Sequence, residues 1–310
     1  MTTYSARSAP RRPARLFEGA RVALVAPAGP VAEERLDAAR THCSEFGIEP
    51  VVGRFARARS GYLAGSDDER VADLQHAIDD PSIDAIWALR GGYGTLRILP
   101  RIDWSAMVAR PRPYIGFSDN TAVHLALTAC GVGSFHAPHP GSAFPPFSRT
   151  AFRATLFDGR TGALPMPADR TPVAICTGAA SGRLLGGNLS LLAALAGTPW
   201  ALRARGRIVL LEDIGEAVYR TDRALTQLIL SGAFEGVRGF AIGQFTERPV
   251  TQNDRDLNDV LYERLAPYNV PVLGNLPFGH IDEQWSLPVG GLARMDTASG
   301  TLELLEPGVA

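Results

Sequence analysis

The chain has 310 residues, of which 45% are hydrophobic and 20% charged, and its formal net charge is −1. That is enough for two domains, or one large α/β domain with additions, around a proper buried core. A charge so close to neutral offers nothing for a nucleic-acid surface, and no apolar window is long enough to span a membrane. The three cysteines, Cys43, Cys130 and Cys176, are widely spaced in apolar or helical contexts. They read as reduced core residues of a cytoplasmic protein, not as a disulfide frame or a zinc site.

Met1–Arg15 carries Arg7, Arg11, Arg12 and Arg15 and no acid, and it lacks the apolar run of a signal peptide. It is expected to be a flexible basic tail. Val22–Ala26 is continuously apolar, as a strand covered on both faces is. Pro27–Pro30 is a loop at its carboxyl end. Glu33–Phe46 is helical in composition and stops at Gly47, and Ile48–Val52 is a second strand. Ser66 and Glu69 form a capping box, with Val71, Leu74 and Ile78 on one face of the helix that follows. Ile83–Leu89 is a third strand running into Arg90-Gly-Gly-Tyr-Gly94. Pro113–Phe117 is a fourth, the helix Ala122–Cys130 follows, and Ser134–His136 is a candidate fifth strand.

This β-α-β-α alternation predicts an α/β protein whose N-terminal domain is a parallel sheet with helices on both faces. Pro138–Pro172 holds seven prolines and several glycines. It is expected to connect domains. The predicted organisation is therefore residues 1–15 as tail, 16–140 as the first domain, 141–175 as connection and 176–310 as a second domain. In that second domain Gly182–Leu185 runs into a packing turn at Gly186-Gly187 and then a Leu/Ala-rich helix. Ile208–Leu211 is a strand ending at Glu212-Asp213, Thr221–Ser231 and Asn253–Leu265 are helices, and Phe240–Ile242 and Val270–Pro277 are extended. No internal repeat or low-complexity segment is present.

The stretch that organises the chain is Pro113–Thr121, a short apolar strand ending in a turn with Ser118 at its apex and a helix start immediately after it. Such a turn lifts a serine hydroxyl clear of a sheet and aims fresh helix N–H groups at what it attacks. The match to G-x-S-x-G is partial, because Asn120 stands in place of the second glycine. A helix-capping serine is the plainer reading. Gly91-Gly92-x-Gly94 does not complete a dinucleotide fingerprint, and the chain has no lysine for a phosphate loop. Gly92 is instead a candidate to place its N–H beside that of Asp119 as an oxyanion donor. A serine nucleophile needs a base and the base an orienting acceptor. Of six histidines, His42, His76 and His124 fall inside helices, whereas His136 and His139 lie near a strand end. His280 is best placed, in a loop after Pro277-Phe-Gly279. Glu212, directly after an apolar strand, is half-buried and needs a partner. No spacing of histidines or cysteines suits a metal, and no cofactor is expected.

The order Ser118, Glu212, His280 and the words around these residues resemble the LD-carboxypeptidase family, the S66 serine peptidases, which also includes microcin C immunity peptidases. The resemblance lies in Val25–Pro30, Arg90–Gly94, Asp103-Trp104, Ile115–Asp119, Gly186–Leu189, Leu211–Glu216 with Tyr219 and Asp222-Arg223, and Pro277–His280, and it covers roughly residues 20–300. It implies Ser118 as nucleophile, His280 as general base and acid, and Glu212 as the group that orients the imidazole. It also implies a Rossmann-like N-terminal domain, a smaller C-terminal α/β domain and a homodimer. The implied activity is hydrolysis of the L,D-peptide bond before the terminal D-alanine of a cytoplasmic murein tetrapeptide. Two other readings remain open: the same machinery acting on a peptidyl-nucleotide antibiotic, and a peptide-binding protein without catalysis.

Overall fold

Segments that are apolar at every position become inner strands, because such a strand is covered on both faces. Val22–Val25 and Ala85–Ala88 are the clearest cases, with every residue buried. The computed structural model describes residues 9–250 and 255–310, and the chain forms two compact units. The first holds residues up to Arg160 with Ser286–Gly290 and Gly308–Ala310, and the second holds Thr161–Trp285 and Gly291–Pro307.

The first unit is built on a six-stranded sheet in the order Leu287–Val289, Ser134–His136, Tyr114–Gly116, Ala85–Ala88, Arg21–Val25, Glu49–Val52. All neighbours are parallel except the Leu287–Val289 edge, which pairs antiparallel with Ser134–His136. Val22 and Leu24 face a core with Leu36, Ala39, Cys43 and Phe152. Ala23 and Val25 face the helix Asp67–Asp79 instead, near Ala72 and Ala77. The predicted capping box is present, with Ser66 Oγ accepting from the Glu69 N–H and Glu69 Oε2 accepting from the Ser66 N–H. The winding direction reverses between Arg21–Val25 and Ala85–Ala88, so the loops after these two strands open a crevice at their carboxyl ends.

The second unit has an eight-stranded sheet in the order Gly162–Ala163, Thr301–Leu304, Leu292–Asp296, Ala179–Asn188, Arg207–Ile214, Gly239–Thr246, Val272–Gly274, Val173–Cys176. Its four central strands are parallel and the flanking pairs antiparallel. The antiparallel flanks were not expected from the sequence. They are short, and their edge strands are partly exposed and carry little apolar alternation.

Five expectations need correction. Residues 9–15 are not a loose tail: Arg11 exchanges backbone hydrogen bonds with Gly131 and Gly133 at 2.7 and 3.0 Å, and Pro13 accepts from the Ala310 N–H at 2.8 Å. The remainder of that expected tail lies outside the described residues. The expected connection 141–175 contains the helix Pro146–Leu156, which belongs to the first core. Its buried residues Ser148, Ala151, Phe152, Thr155 and Leu156 follow helical spacing, and Phe152 stacks on Trp87 at 4.7 Å. Pro145 and Pro146 start this helix, where a missing N–H costs nothing. The region 176–310 is not one domain, since Ser286–Gly290 and Gly308–Ala310 return to the first unit. Gly186 and Gly187 lie within a strand, where a Cβ on Gly186 would meet the Leu210 carbonyl oxygen at 2.2 Å. The predicted helix at Asn253–Leu265 is Leu257–Leu265, with Asp256 capping it; Asn253 and Asp254 are outside the described residues.

Candidate active site

Strand Tyr114–Gly116 passes through Phe117 into a tight turn, Ser118–Asn120, and then the helix Thr121–Ala129. Ser118 has φ +63°, a left-handed conformation that costs a side-chain-bearing residue about 1–2 kcal/mol. It is the only residue from 112 to 127 that is not buried. The turn therefore presents the hydroxyl while everything around it is packed. Gly91 lies against it: a Cβ there would come within 2.7 Å of Ser118 Cβ, 2.8 Å of its Oγ and 3.3 Å of the Asp119 nitrogen. Only glycine allows that approach. The Gly91 carbonyl accepts from the Gly29 N–H at 3.0 Å, which ties the loop after the first strand to the same place.

Asn120 explains the partial elbow motif. Its amide nitrogen donates to the carbonyls of Phe117 at 3.1 Å and Arg90 at 3.3 Å, and its oxygen accepts from the Tyr114 hydroxyl at 2.5 Å. A side chain thus fills the space beside Gly116 and staples the elbow to the Gly91 loop. Asp119 is fully buried, and its carboxylate accepts from the Thr95 N–H at 2.8 Å while its carbonyl accepts from the Thr95 hydroxyl at 2.7 Å. Burial pushes the Asp119 carboxyl above the usual carboxylate range against those hydrogen bonds. Arg70, also buried, donates to the carbonyls of Pro27 and Gly94 at 2.7 Å each and so joins the same two loops.

The second unit holds an acid–base pair. Glu212, fully buried near the end of Arg207–Ile214, sits 2.8 Å through Oε2 from His280 Nδ1. A carboxylate only accepts, so Nδ1 carries the proton and Nε2 is the basic nitrogen. Burial alone would lower the His280 pKa. The hydrogen bond and charge of Glu212, with the charges of Asp213 and Glu247, outweigh it and leave the pKa raised. Gly279 has φ +106°, and a Cβ on it would strike Glu212 Oε2 at 2.8 Å and Cβ at 2.9 Å. The His280 loop can lie on Glu212 because that position is glycine. Asp213 next door points elsewhere: it accepts from Asn188 Nδ2 at 2.8 Å, the Ser190 N–H at 3.0 Å and the Ser190 hydroxyl at 2.8 Å. That network anchors the Gly186–Leu189 segment beside the strand end.

The structure therefore brings Glu212 and His280 into contact in the second unit. In the first it gathers Ser118, Asp119 and the Gly91-Gly92 loop. His139 and His136, the two histidines expected near a strand end, pack under the elbow instead. His139 stacks on Phe117 at 4.4 Å with Nε2 at 3.2 Å from Asn120 Nδ2, and His136 is fully buried. His124 is fully buried between Ser134 Oγ and the Gly116 carbonyl at 2.8 and 2.9 Å, and burial lowers its pKa to about 3. Gly91, Asn120 and Gly279 were missed as site residues by the sequence reading. Their roles come from close approaches between loops, which spacing does not encode. Among the described residues no group of three or more His, Cys, Asp or Glu side chains could hold a metal ion. Nor is any helix among them long and apolar enough to cross a membrane.

Residues 22–137 match the LD-carboxypeptidase N-terminal domain and residues 181–295 the LD-carboxypeptidase C-terminal domain. The chain is 35% identical to the murein tetrapeptide carboxypeptidase of Pseudomonas aeruginosa, over 89% of this chain and 93% of that protein. It is 32% identical to the crystal structure of a muramoyltetrapeptide carboxypeptidase from Oxalobacter formigenes, with a TM-score of 0.80 over 92% of this chain and 97% of that one. The microcin C7 self-immunity protein MccF, solved in complex with glutamyl sulfamoyl guanosine, superposes with a TM-score of 0.90 over 97% of this chain and 100% of that one. At 22% identity it shares the fold. The chain belongs to the LD-carboxypeptidase family. It is a serine-type LD-carboxypeptidase, a hydrolase with a two-unit α/β architecture.

Proposed function

We propose that this enzyme removes the terminal D-alanine from a murein tetrapeptide in the cytoplasm, as a step in peptidoglycan recycling, with Ser118, His280 and Glu212 as its triad. The observation that carries the chemistry is the pairing of Glu212 with His280 Nδ1 at 2.8 Å, which leaves Nε2 as a base of raised pKa. Support for the substrate comes from the two relatives above, named for murein and muramoyl tetrapeptides, at 35% and 32% identity. Ser118 Oγ attacks the carbonyl of the L,D-bond as its proton passes to His280 Nε2. Backbone N–H groups of Gly92 and Asp119 stabilise the tetrahedral oxyanion. The C–N bond then breaks, His280 returns the proton to the departing D-alanine amine, and water resolves the acyl-enzyme by the same steps in reverse. Glu212 keeps the imidazole in the required tautomer and stabilises the imidazolium. The reaction as written needs no cofactor. The family resemblance also supports a homodimer, which light scattering on the eluting protein tests.

The test is incubation with murein tetrapeptide and, in parallel, an aminoacyl sulfamoyl nucleotide, read by mass. Release of D-alanine from the first, with the second intact, is the expected result. Cleavage of the nucleotide conjugate alone would assign the enzyme to antibiotic resistance. An intact tetrapeptide in a sample whose serine reacts with a fluorophosphonate would remove the murein substrate.

A further inference from the structure

The crevice at the carboxyl ends of the first unit's strands holds a cavity of about 590 Å³, a size typical of small-ligand sites. It is lined by Gly29, Gly92, Arg59, Arg90, Tyr62 and Tyr93 among others, and none of its described lining residues is acidic. Neighbouring arginines are neutralised. Arg57 forks onto Glu33 at 2.7 and 2.8 Å, and Arg97 onto Asp67 at 2.8 and 3.0 Å. Among the described residues Arg59 and Arg90 have no carboxylate partner; Arg90 Nη1 donates only to the Pro30 carbonyl, at 2.8 Å.

The scaffold under these groups is rigid. Arg59 and Tyr62 ride on a tight turn closed by the Ser60 N–H on the Leu63 carbonyl at 2.9 Å and the reverse bond at 3.0 Å. The Ala64 N–H pins that turn to the Ala28 carbonyl at 2.9 Å. Tyr62 and Tyr93 stand 5.7 Å apart by ring centroid, yet are 67% and 48% exposed. Two uncompensated guanidiniums and two uncovered rings thus share one wall, beside the Gly91-Gly92 loop that lies against Ser118.

We propose that Arg59 and Arg90 bind a carboxylate of the substrate, with Tyr62 and Tyr93 covering its carbon chain. A planar guanidinium holds a carboxylate through two parallel hydrogen bonds, which gives direction as well as affinity. The inference deepens the function proposed above and takes its substrate class from it. Two carboxylates of a murein tetrapeptide flank the scissile bond, the terminal one of D-alanine and the side-chain one of diaminopimelate.

Equilibrium binding to a Ser118→Ala protein separates recognition from turnover. Calorimetry is run with the tetrapeptide, its C-terminal amide, and a peptide with lysine in place of diaminopimelate. Arg59→Gln, at an exposed position with no hydrogen-bond or ion-pair partner among the described residues, is expected to weaken tetrapeptide binding roughly 10- to 100-fold with an unchanged melting temperature. If the terminal carboxylate is the one bound, the amide binds the parent as weakly as the acid binds Arg59→Gln. If the side-chain carboxylate is bound, the lysine peptide does so. With Ser118 restored, Arg59→Gln raises KM more than it lowers kcat. Equal affinity of the parent, Arg59→Gln and Arg90→Gln proteins for the tetrapeptide, or no binding of any peptide, overturns the proposal. A parent protein that binds tetrapeptide but, with Ser118 present, releases no D-alanine would instead remove the murein function and leave this site standing.

Discussion

The serine side and the histidine side of the proposed site are held by different physics. Around Ser118 the work is done mainly by backbone conformation and hydrogen bonds to backbone groups: φ +63° at the serine, glycine at 91, Asn120 tying two carbonyls together, and the Asp119 carboxylate and Arg70 guanidinium bonded to loop backbone. Around His280 it is done by charge, with a buried carboxylate against an imidazole whose pKa it raises. Steric positioning does not titrate, whereas positioning by charge does. Apart from the buried Asp119 carboxyl, the turn that carries the nucleophile should therefore keep its geometry while the imidazole changes state.

The largest expected effect is at Ser118. Ser118→Ala should lower kcat by about 10⁴–10⁶-fold with little change in melting temperature, since alanine meets the same backbone penalty as serine. A large drop in melting temperature would show that the hydroxyl serves folding instead. Ser118→Gly should be equally inactive but more stable by about 1 kcal/mol, measured by urea denaturation, because glycine accepts φ +63° without strain. On the other side, Glu212→Gln should cost about 10³–10⁴-fold in kcat, because an amide can hold the imidazole in the wrong tautomer. Activity within tenfold of the parent would remove Glu212 from the triad.

Next come the glycines that permit close approach. Gly91→Ala places a Cβ 2.7 Å from Ser118 Cβ, and the resulting shift should cost about 100-fold in kcat/KM. Gly279→Ala presses on Glu212 Oε2 at 2.8 Å and also meets strain at φ +106°. It should lower both activity and melting temperature. If Gly91→Ala left kcat/KM untouched, packing against Gly91 would not be what positions the serine.

The smallest effect is the most diagnostic of the contrast. His280 must be neutral to take a proton, and its pKa is raised from 6.5. The ascending limb of kcat/KM should thus lie above pH 6.5 and move to lower pH in Glu212→Gln, where the opposing charge is gone. A limb that stays in place in that variant argues against this pair as the titrating unit. The same shift has a stability signature. A group whose folded pKa is raised contributes stability fully present below its unfolded value near 6.5, and lost as pH rises through the folded value. Stability curves of the parent and Glu212→Gln should converge toward the alkaline end of that window.

Much of this was legible in residue order. The alternation of apolar runs with helical segments announced the parallel sheet, Ser66 and Glu69 announced their capping box, and the strand-to-helix step at Ser118 announced an elbow. These are local signals, set by the period of burial and by the chemistry of helix ends. Glu212 and His280 were singled out as strand-end and loop residues, and the structure puts them in contact. The helix Pro146–Leu156 was hidden because prolines at its start read as a connection.

What only the tertiary structure decided depends on contacts between distant segments. The return of Ser286–Gly290 to the first sheet rests on pairing with Ser134–His136, about 150 residues earlier in the chain. The need for glycine at 91 and 279 arises from loops pressed against Ser118 and Glu212. The isolation of Arg59 and Arg90 from acids is visible only once Glu33 and Asp67 are seen engaged with Arg57 and Arg97. Residue order alone determined where strands, helices and the reactive side chains would fall, because those follow from neighbours a few positions away. Which backbone may approach which, and which charge is left unpaired, is determined only when the folded chain brings remote segments within a few ångströms.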